Sequence, residues 1–296
     1  MTTATTTDPA RTLSRRQFLG FSVLAAGGGL VAYSGLWDRH HLEVVQQTIR
    51  LRRLPEAFHG LRIAQVSDIH YDEYTEPYFV REVVRRINAL NPDIVVLTGD
   101  FVTDGPLTRP IAGRLSYPCA EILSGIQCPH RFASLGNHDM LVGWPVVVDA
   151  LKVHGIPTLF DSHLPFERNG SRLWFAGVRS SLEDVPNLND AVPRKAAPNE
   201  PVILLAHEPD YANHVVAHGG VDLMLSGHTH GGQVRLPFLG TPRHMLPPGG
   251  RRFVEGHFKV GPLQLYVNRG IGTVKLPVRF LCPPELTVFT LQPAEA

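Results

Sequence analysis

The chain has 296 residues, and its 28 Lys and Arg are set against 27 Asp and Glu, for a formal net charge of +1. That even balance, with arginines that do not cluster, leaves no basic footprint for nucleic acid, so no nucleic-acid partner is expected. The odd set Cys119, Cys128 and Cys282 fits neither a zinc motif nor a full disulfide framework, and there is no internal repeat or coiled-coil pattern.

Residues Ser14-Arg15-Arg16-Gln17-Phe18-Leu19 follow a polar, Thr-rich leader and precede a charge-free apolar stretch that ends near Trp37. Twin arginines directly before a hydrophobic segment resemble a bacterial twin-arginine export signal. That resemblance implies the twin-arginine export machinery as a partner. It also implies the periplasm, the cell wall or the outer face of the cytoplasmic membrane as destination. Gly20, Gly27, Gly28, Gly29 and Gly35 keep the stretch only mildly hydrophobic. No Ala-x-Ala cleavage site is present, and Ala32-Tyr33-Ser34 is the nearest small-x-small triplet. At about 20 residues the uncharged stretch is just long enough to span a bilayer. Left uncleaved, it would be a membrane tether with Arg15 and Arg16 inside. Residues 1–37 are therefore read as a signal peptide or N-terminal anchor, and residues 38–60 as a linker or first edge strand.

Beyond the leader roughly 250 residues remain, enough for one domain with a substantial two-layer core. A repeating β/α pattern runs from Leu61, and the domain is set at residues 61–293. Five short apolar runs each end in polar residues that bind metals. Arg62 to Val66 leads into Ser67-Asp68-Ile69-His70, Ile94 to Leu97 into Thr98-Gly99-Asp100, and Phe132 to Leu135 into Gly136-Asn137-His138-Asp139. Val202 to Leu205 leads to Ala206-His207-Glu208, and Val221 to Leu225 to Ser226-Gly227-His228-Thr229-His230. Such runs, bounded by Gly, Asn or Asp, read as strands buried on both faces. Ligands collect just past the carboxyl ends of strands in open α/β sheets, so the five ends are expected to meet at one edge. Between them, Phe79-Val80-Val83-Val84-Ile87-Leu90 and Val146-Val147-Ala150-Leu151-Val153 recur at helical spacing, with Asn91-Pro92 as a stop. After His230, Phe253 to Phe258, Leu263 to Val267 and Leu286 to Leu291 read as strands of a second sheet closing a sandwich, with helices outside.

The candidate ligands mix carboxylate and amide oxygens with imidazole nitrogens and include no thiolate. That mixture suits manganese, iron, zinc or cobalt better than calcium, magnesium or copper(I). Seven side chains are too many for one ion with an open position and about right for two ions sharing a carboxylate. Two such ions about 3.5–4 Å apart clamp an in-line displacement and lower the pKa of bound water to about 7.

Asp68-x-His70, Gly99-Asp100, Gly136-Asn137-His138-Asp139, His207 and Gly227-His228-x-His230 resemble, in order, the signature of the calcineurin-like metallophosphoesterases. The resemblance implies an α/β fold: a metallophosphoesterase β-sandwich of two mixed sheets flanked by helices, with a dinuclear metal site at strand C-terminal ends. It assigns Asp68, His70 and His230 to one divalent ion, Asn137, His207 and His228 to a second, and Asp100 to a bridge between them. Mn, Fe or Zn are the expected ions. His138 is left as the catalytic residue that protonates the leaving oxygen. The chain departs from the protein phosphatase branch at Thr103, where an Asp would orient that His. Asp104 and Asp139 remain alternatives for the role.

Residues Thr75 to Phe79, Thr103 to Pro118 and Gly231 to Arg252 are the candidate substrate walls. The last carries Arg235, Arg243, Arg251 and Arg252 beside Leu236, Phe238, Leu239, Met245 and Leu246. Arginines there would grip a second phosphate, and the apolar members would meet an acyl chain or a membrane; a solvated surface loop is the bland alternative. Together with the leader, Gly231-Gly232-Gln233-Val234-Arg235-Leu236-Pro237-Phe238 resembles an exported or membrane-tethered phosphodiesterase branch of the family. That branch includes relatives that hydrolyse UDP-2,3-diacylglucosamine in lipid A synthesis. The expected activity is metal-dependent hydrolysis of phosphodiester or pyrophosphate bonds in the cell envelope, on a phosphate-ester substrate linked to a lipid, nucleotide-sugar or cell-wall polymer. The rivals are a UDP-2,3-diacylglucosamine pyrophosphatase and, from another class, a non-catalytic interaction scaffold on the same fold, as in the retromer scaffold subunit. Cys119 and Cys128 would pair in an oxidising compartment or stay as buried thiols.

Overall fold

Side chains alternate across a strand, and in this chain that alternation feeds three apolar layers. A computed structural model describes residues 14–72, 74–105, 109–194 and 196–294. The polar leader and residues 106–108 of one candidate substrate wall lie outside these described residues. Helix α1 (Arg15–Ala32) and strand β1 (Glu43–Leu51) precede β2 (Arg62–Val66), α2 (Pro77–Leu90), β3 (Ile94–Thr98), α3 (Arg109–Ser124), β4 (Arg131–Ser134) and α4 (Asn137–Val153). Then come β5 (Ser162–Arg168), β6 (Ser171–Gly177), α5 (Leu188–Ala191), β7 (Val202–Leu205), α6 (Ala212–His218) and β8 (Leu223–Ser226). The C-terminal part holds β9 (Gly256–Val260), β10 (Leu263–Val267) and β11 (Glu285–Pro293).

One sheet has the order β1-β11-β2-β3-β4 and the other β5-β6-β7-β8-β10-β9. Both are mixed. β2, β3 and β4 are parallel with β11 antiparallel to β2, and β6, β7, β8 and β10 are parallel with antiparallel strands β5 and β9 at the edges. Ile63, Ile94 and Val96 pack between the sheets against Ile203, Leu205, Leu223 and Leu225. Their neighbours Ala64, Val95 and Leu97 turn the other way, onto Val83, Ile87, Leu123 and Val147 of α2, α3 and α4. Leu204 and Met224 face Val215 of α6 on the far side of the second sheet. Each central strand thus serves two cores, which is why its sequence is an unbroken apolar run. Helix α2 begins on Pro77 and stops at Asn91, whose φ of 46° is left-handed, just before Pro92.

Three expectations need adjustment. The run Leu286 to Leu291 lies in the first sheet, not the second: β11 pairs with β1 and β2. Alternating apolar residues mark a strand but carry no information on which face of the sandwich it joins. The run at Phe253 to Phe258 forms its strand later, at Gly256–Val260. The five ligand-bearing strands are divided between the sheets, β2, β3 and β4 in one and β7 and β8 in the other. Strand β1 closes one side of the first sheet. Cys119, Cys128 and Cys282 are buried free thiols.

Candidate metal centre

Cross-sheet hydrogen bonds bring the two sets of strand ends together. Gln65 of β2 donates through Nε2 to Thr98 Oγ1 and to the Ser226 carbonyl of the opposite sheet, both at 3.0 Å. The His207 ring donates from Nδ1 to the Thr98 carbonyl at 2.7 Å, and the His228 amide donates to the Asp68 carboxylate at 2.9 Å. The strands stop, and the chain turns sharply to aim its side chains inward. Asp68, His70, Asp100, His228 and His230 have φ of 51°, 47°, 54°, 73° and 52°. Left-handed backbone is costly for residues with a Cβ and persists where surrounding structure imposes it, commonly at functional sites. Glycines make room for the carboxylates. A Cβ on Gly227 would lie 2.1 Å from Asp68 Oδ2, and one on Gly136 would lie 2.2 Å from Asp100 Oδ1.

All seven candidate ligands converge, in two groups that share one carboxylate. Ligand atoms of Asp68, His70 and His230 lie within 4.8 Å of one another, as do those of Asp100, His207 and His228. Asp100 Oδ2 stands between them, 3.4 Å from His70 Nε2 and 3.0 Å from His207 Nε2. Asn137 joins the second group with Oδ1 2.9 Å from His228 Nδ1. His70, Asp100 and His138 make a third grouping of the same tightness.

The arrangement of lone pairs fits cations. His228 Nε2 donates to the Pro248 carbonyl at 2.6 Å, which leaves Nδ1 as a bare acceptor facing the Asn137 oxygen. Thr103 donates its hydroxyl to Asp72 at 2.7 Å and accepts from His70 Nδ1 at 3.2 Å. His70 Nε2 is then unprotonated and accepts from His230 Nε2 at 3.1 Å, the Arg279 guanidinium lying on His230 Nδ1. His207 donates from Nδ1, and its Nε2 is buried facing carboxylate oxygens, Asp100 Oδ2 at 3.0 Å and Asp68 Oδ1 at 3.8 Å. Acceptors placed against acceptors in a buried pocket are unfavourable unless a positive charge sits between them.

The electrostatics agree. Burial pushes His70 down to about 3 and His230 well below its ordinary value, against the pull of Asp100 and Asp68, so both rings stay neutral as ligands must. Burial disfavours the ionised form of Asp100 too, but His207, His138 and His70 outweigh it and hold the carboxyl well below its usual range. For His207 the order of forces is similar: burial opposes a proton, and the carboxylates of Asp100 and Asp68 nonetheless raise the ring well above its ordinary value. The second group therefore attracts positive charge.

His138 lies beside this centre, its ring edge-on to His70 at 4.8 Å between centroids. Its Nδ1 accepts the backbone amide of Asp104 at 2.9 Å, and its own amide donates to Asp100 Oδ1 at 2.9 Å. The contact from Asp104 is thus its main chain. The Asp139 carboxylate turns away and accepts the amides of Asp100, Phe101 and Gly136 at 2.8, 2.9 and 3.0 Å. Thr103, at the departure from the phosphatase pattern, serves His70 instead.

Several supporting residues gave no sign in the sequence. Arg279 is fully buried, donates to the carbonyls of Arg269, Gly270 and Gly272, and reaches within 3.4 Å of His230 Nδ1. Glu208 is buried and accepts from Ser180 Oγ at 2.5 Å and the Ser181 amide at 2.8 Å, fixing the turn after His207. A cavity of about 730 Å³ is elsewhere: Arg50, Arg52, Asp222 and Lys259 line it at the opposite end of the strands.

The sequence pattern of the calcineurin-like phosphoesterase family matches residues 61–232, and the chain belongs to that family; it is a phosphoester hydrolase with a candidate divalent-metal centre. Within the family it falls with YkuE of Bacillus subtilis, an uncharacterized metallophosphoesterase, at 35% identity over 295 residues, 95% of this chain and 98% of that protein. Phosphodiesterase YaeI of Escherichia coli is 29% identical over 295 residues, 94% of this chain and 99% of that one. UDP-2,3-diacylglucosamine pyrophosphatase LpxG of Chlamydia trachomatis is 31% identical over 307 residues, 85% of this chain and 91% of that one.

Proposed function

We propose that the chain hydrolyses phosphodiester or pyrophosphate bonds with two divalent ions at the cell envelope. The observation that carries this reading is the pair of ligand groups flanking Asp100 Oδ2, with the acceptors His228 Nδ1 and Asn137 Oδ1 facing one another in the second. Asp68, His70 and His230 would hold one ion, Asn137, His207 and His228 the other, and Asp100 would bridge. Manganese, iron or zinc suits these donors. When bound, the ions supply charge neutralisation on the phosphoryl oxygens and a nucleophile at neutral pH. His138, whose Nδ1 accepts the Asp104 amide, would present an Nε2–H to the leaving oxygen and stabilise the charge that develops there as the bond breaks. A scaffold has no use for this ligand set or for a poised His138.

Exposed apolar residues following His230 support a substrate larger than a soluble monoester. The similarity to LpxG favours a second, narrower reading, UDP-2,3-diacylglucosamine. One panel with manganese present separates these: p-nitrophenyl phosphate, bis-p-nitrophenyl phosphate, a cyclic nucleotide and UDP-2,3-diacylglucosamine. A diester or pyrophosphate should give the highest kcat/KM, and a monoester in first place would refute the reading. Efficiency on the acylated nucleotide-sugar far above the synthetic diester would establish the narrower one.

Export completes the proposal. Arg15 and Arg16 open α1, which Ser14 caps, and one helix from Arg15 to His40 is long and apolar enough to cross a membrane. Replacing both arginines by lysine should leave folded protein in the cytoplasm, as judged by cell fractionation. Normal translocation in a strain without twin-arginine machinery would contradict export by that route.

A further inference from the structure

Three segments beside the metal centre are hydrogen-bonded into one unit, and each turns apolar side chains outward. Residues 236–240 form a hairpin tip closed by reciprocal Leu236–Gly240 hydrogen bonds of 2.9 Å. At its apex Phe238 is fully exposed and Leu239 is 80% exposed. Phe238 has a φ of 66°, a conformation an aromatic residue adopts only when the loop imposes it. The base of the hairpin is stitched to residues 274–281: the Arg235 amide donates to the Phe280 carbonyl at 2.9 Å, and the Phe280 amide to the Gln233 carbonyl at 3.0 Å. Leu276 and Leu281 of that strap are exposed.

The third segment is the end of the N-terminal helix. The Arg279 amide donates to the Ser34 carbonyl at 3.0 Å, and Tyr33 meets the Phe280 ring edge-on at 5.9 Å. Helix α1 buries none of its residues. Its continuation through Tyr33–Trp37 sets exposed Leu36 and Trp37 beside the strap. Lys275 on the strap and Arg243, three residues beyond the hairpin, are exposed and have no ion-pair partner among the described residues. The frame also reaches the metal centre, through Arg279 and its 3.4 Å contact with His230.

Single exposed apolar residues need no explanation, but a rigid cluster at the foot of an apolar helix does. We propose that this unit docks on a lipid bilayer, with Phe238, Leu239, Leu276 and Leu281 inserted where α1 enters the membrane and Lys275 and Arg243 on anionic headgroups. Tyr33 and Trp37 then lie at the level where aromatic side chains collect in membrane proteins. Buried apolar area and attraction to anionic lipid together set the strength of such interfacial contacts. The metal centre is held close to the membrane surface, which makes the phosphodiester or pyrophosphate of a lipid-linked molecule the substrate class. This last step rests on the proposed hydrolase; the docking itself does not.

The test uses the full chain in vesicles of phosphatidylglycerol and phosphatidylethanolamine. A nitroxide is placed at Phe238→Cys, Leu276→Cys or, as a control at the far end of α4, Lys152→Cys; the native thiols are buried and leave the label to the new one. Collision with oxygen should exceed collision with a water-soluble nickel chelate at positions 238 and 276, and the reverse should hold at 152. A label at 238 as open to nickel as the one at 152 would overturn docking. So would dipolar broadening between labels at 238 without a rise in oxygen collisions, which would identify a second copy as the occupant. The readout needs no turnover, so a wet tip would leave the hydrolase reading standing, and an inactive enzyme with a lipid-buried tip would leave the docking.

Discussion

The ring of His138, the proposed acid, is oriented by a backbone amide rather than by a carboxylate. An amide N–H can only donate, so the 2.9 Å contact from Asp104 fixes Nδ1 as acceptor and leaves Nε2 to present an N–H. Its own amide, on Asp100 Oδ1, ties the acid to the proposed bridge. His138→Ala should therefore keep both ions and lose turnover, by about 10²–10⁴-fold. The loss should be larger for alkyl diesters, whose leaving oxygens need a proton, than for p-nitrophenyl diesters, whose leaving groups do not. Steady-state rates on both substrates with metal analysis of the variant check this; an equal loss on both would remove proton donation from the role.

At the scale of elements, the centre is a set of strand ends bent into left-handed backbone over glycines that let carboxylates approach. Gly227 is the tightest of these: a Cβ there would lie 1.9 Å from Ser67 Oγ and 2.1 Å from Asp68 Oδ2. Neither neighbour is free to retreat, since Ser67 donates to the Thr98 carbonyl and Asp68 accepts the His228 amide. Gly227→Ala should cost about 1–3 kcal/mol of stability through overpacking and displace Asp68 from its ligand position. Thermal unfolding and metal content report the two effects, and unchanged values for both would show that the loop relaxes at no cost. The strands and ligand types were legible in the sequence because apolar runs ending in Asp, Asn and His carry both signals at once. Partnerships through main-chain atoms were not. The hold of Asp104 on His138 depends on an amide, which any residue offers, and Asp139 looks like a catalytic partner in sequence while its oxygens serve four amides. Arg279 reads as one more surface arginine until the loops around it close.

At the scale of the molecule, two sheets press together over a shared apolar layer and meet the metal centre at one end, so each ligand group draws on both sheets. Asp68 and His70 follow β2 while His230 follows β8; Asn137 follows β4 while His207 and His228 follow β7 and β8. The placement of β11 was not legible for a related reason: its alternation suits either sheet, and only its pairing with β1 and β2 decides. Asp100, at the end of β3, lies nearest to both groups, with Oδ2 3.4 Å from His70 and 3.0 Å from His207, whereas Asp68 Oδ1 is 3.8 Å from His207. The most direct test of the account is the metal content of purified Asp100→Ala beside that of the unaltered chain. About two ions per chain should fall to one or none, with loss of hydrolysis, because the proposed bridge is the Asp100 carboxylate. Two tightly held ions in the Asp100→Ala protein, with activity retained, would contradict it.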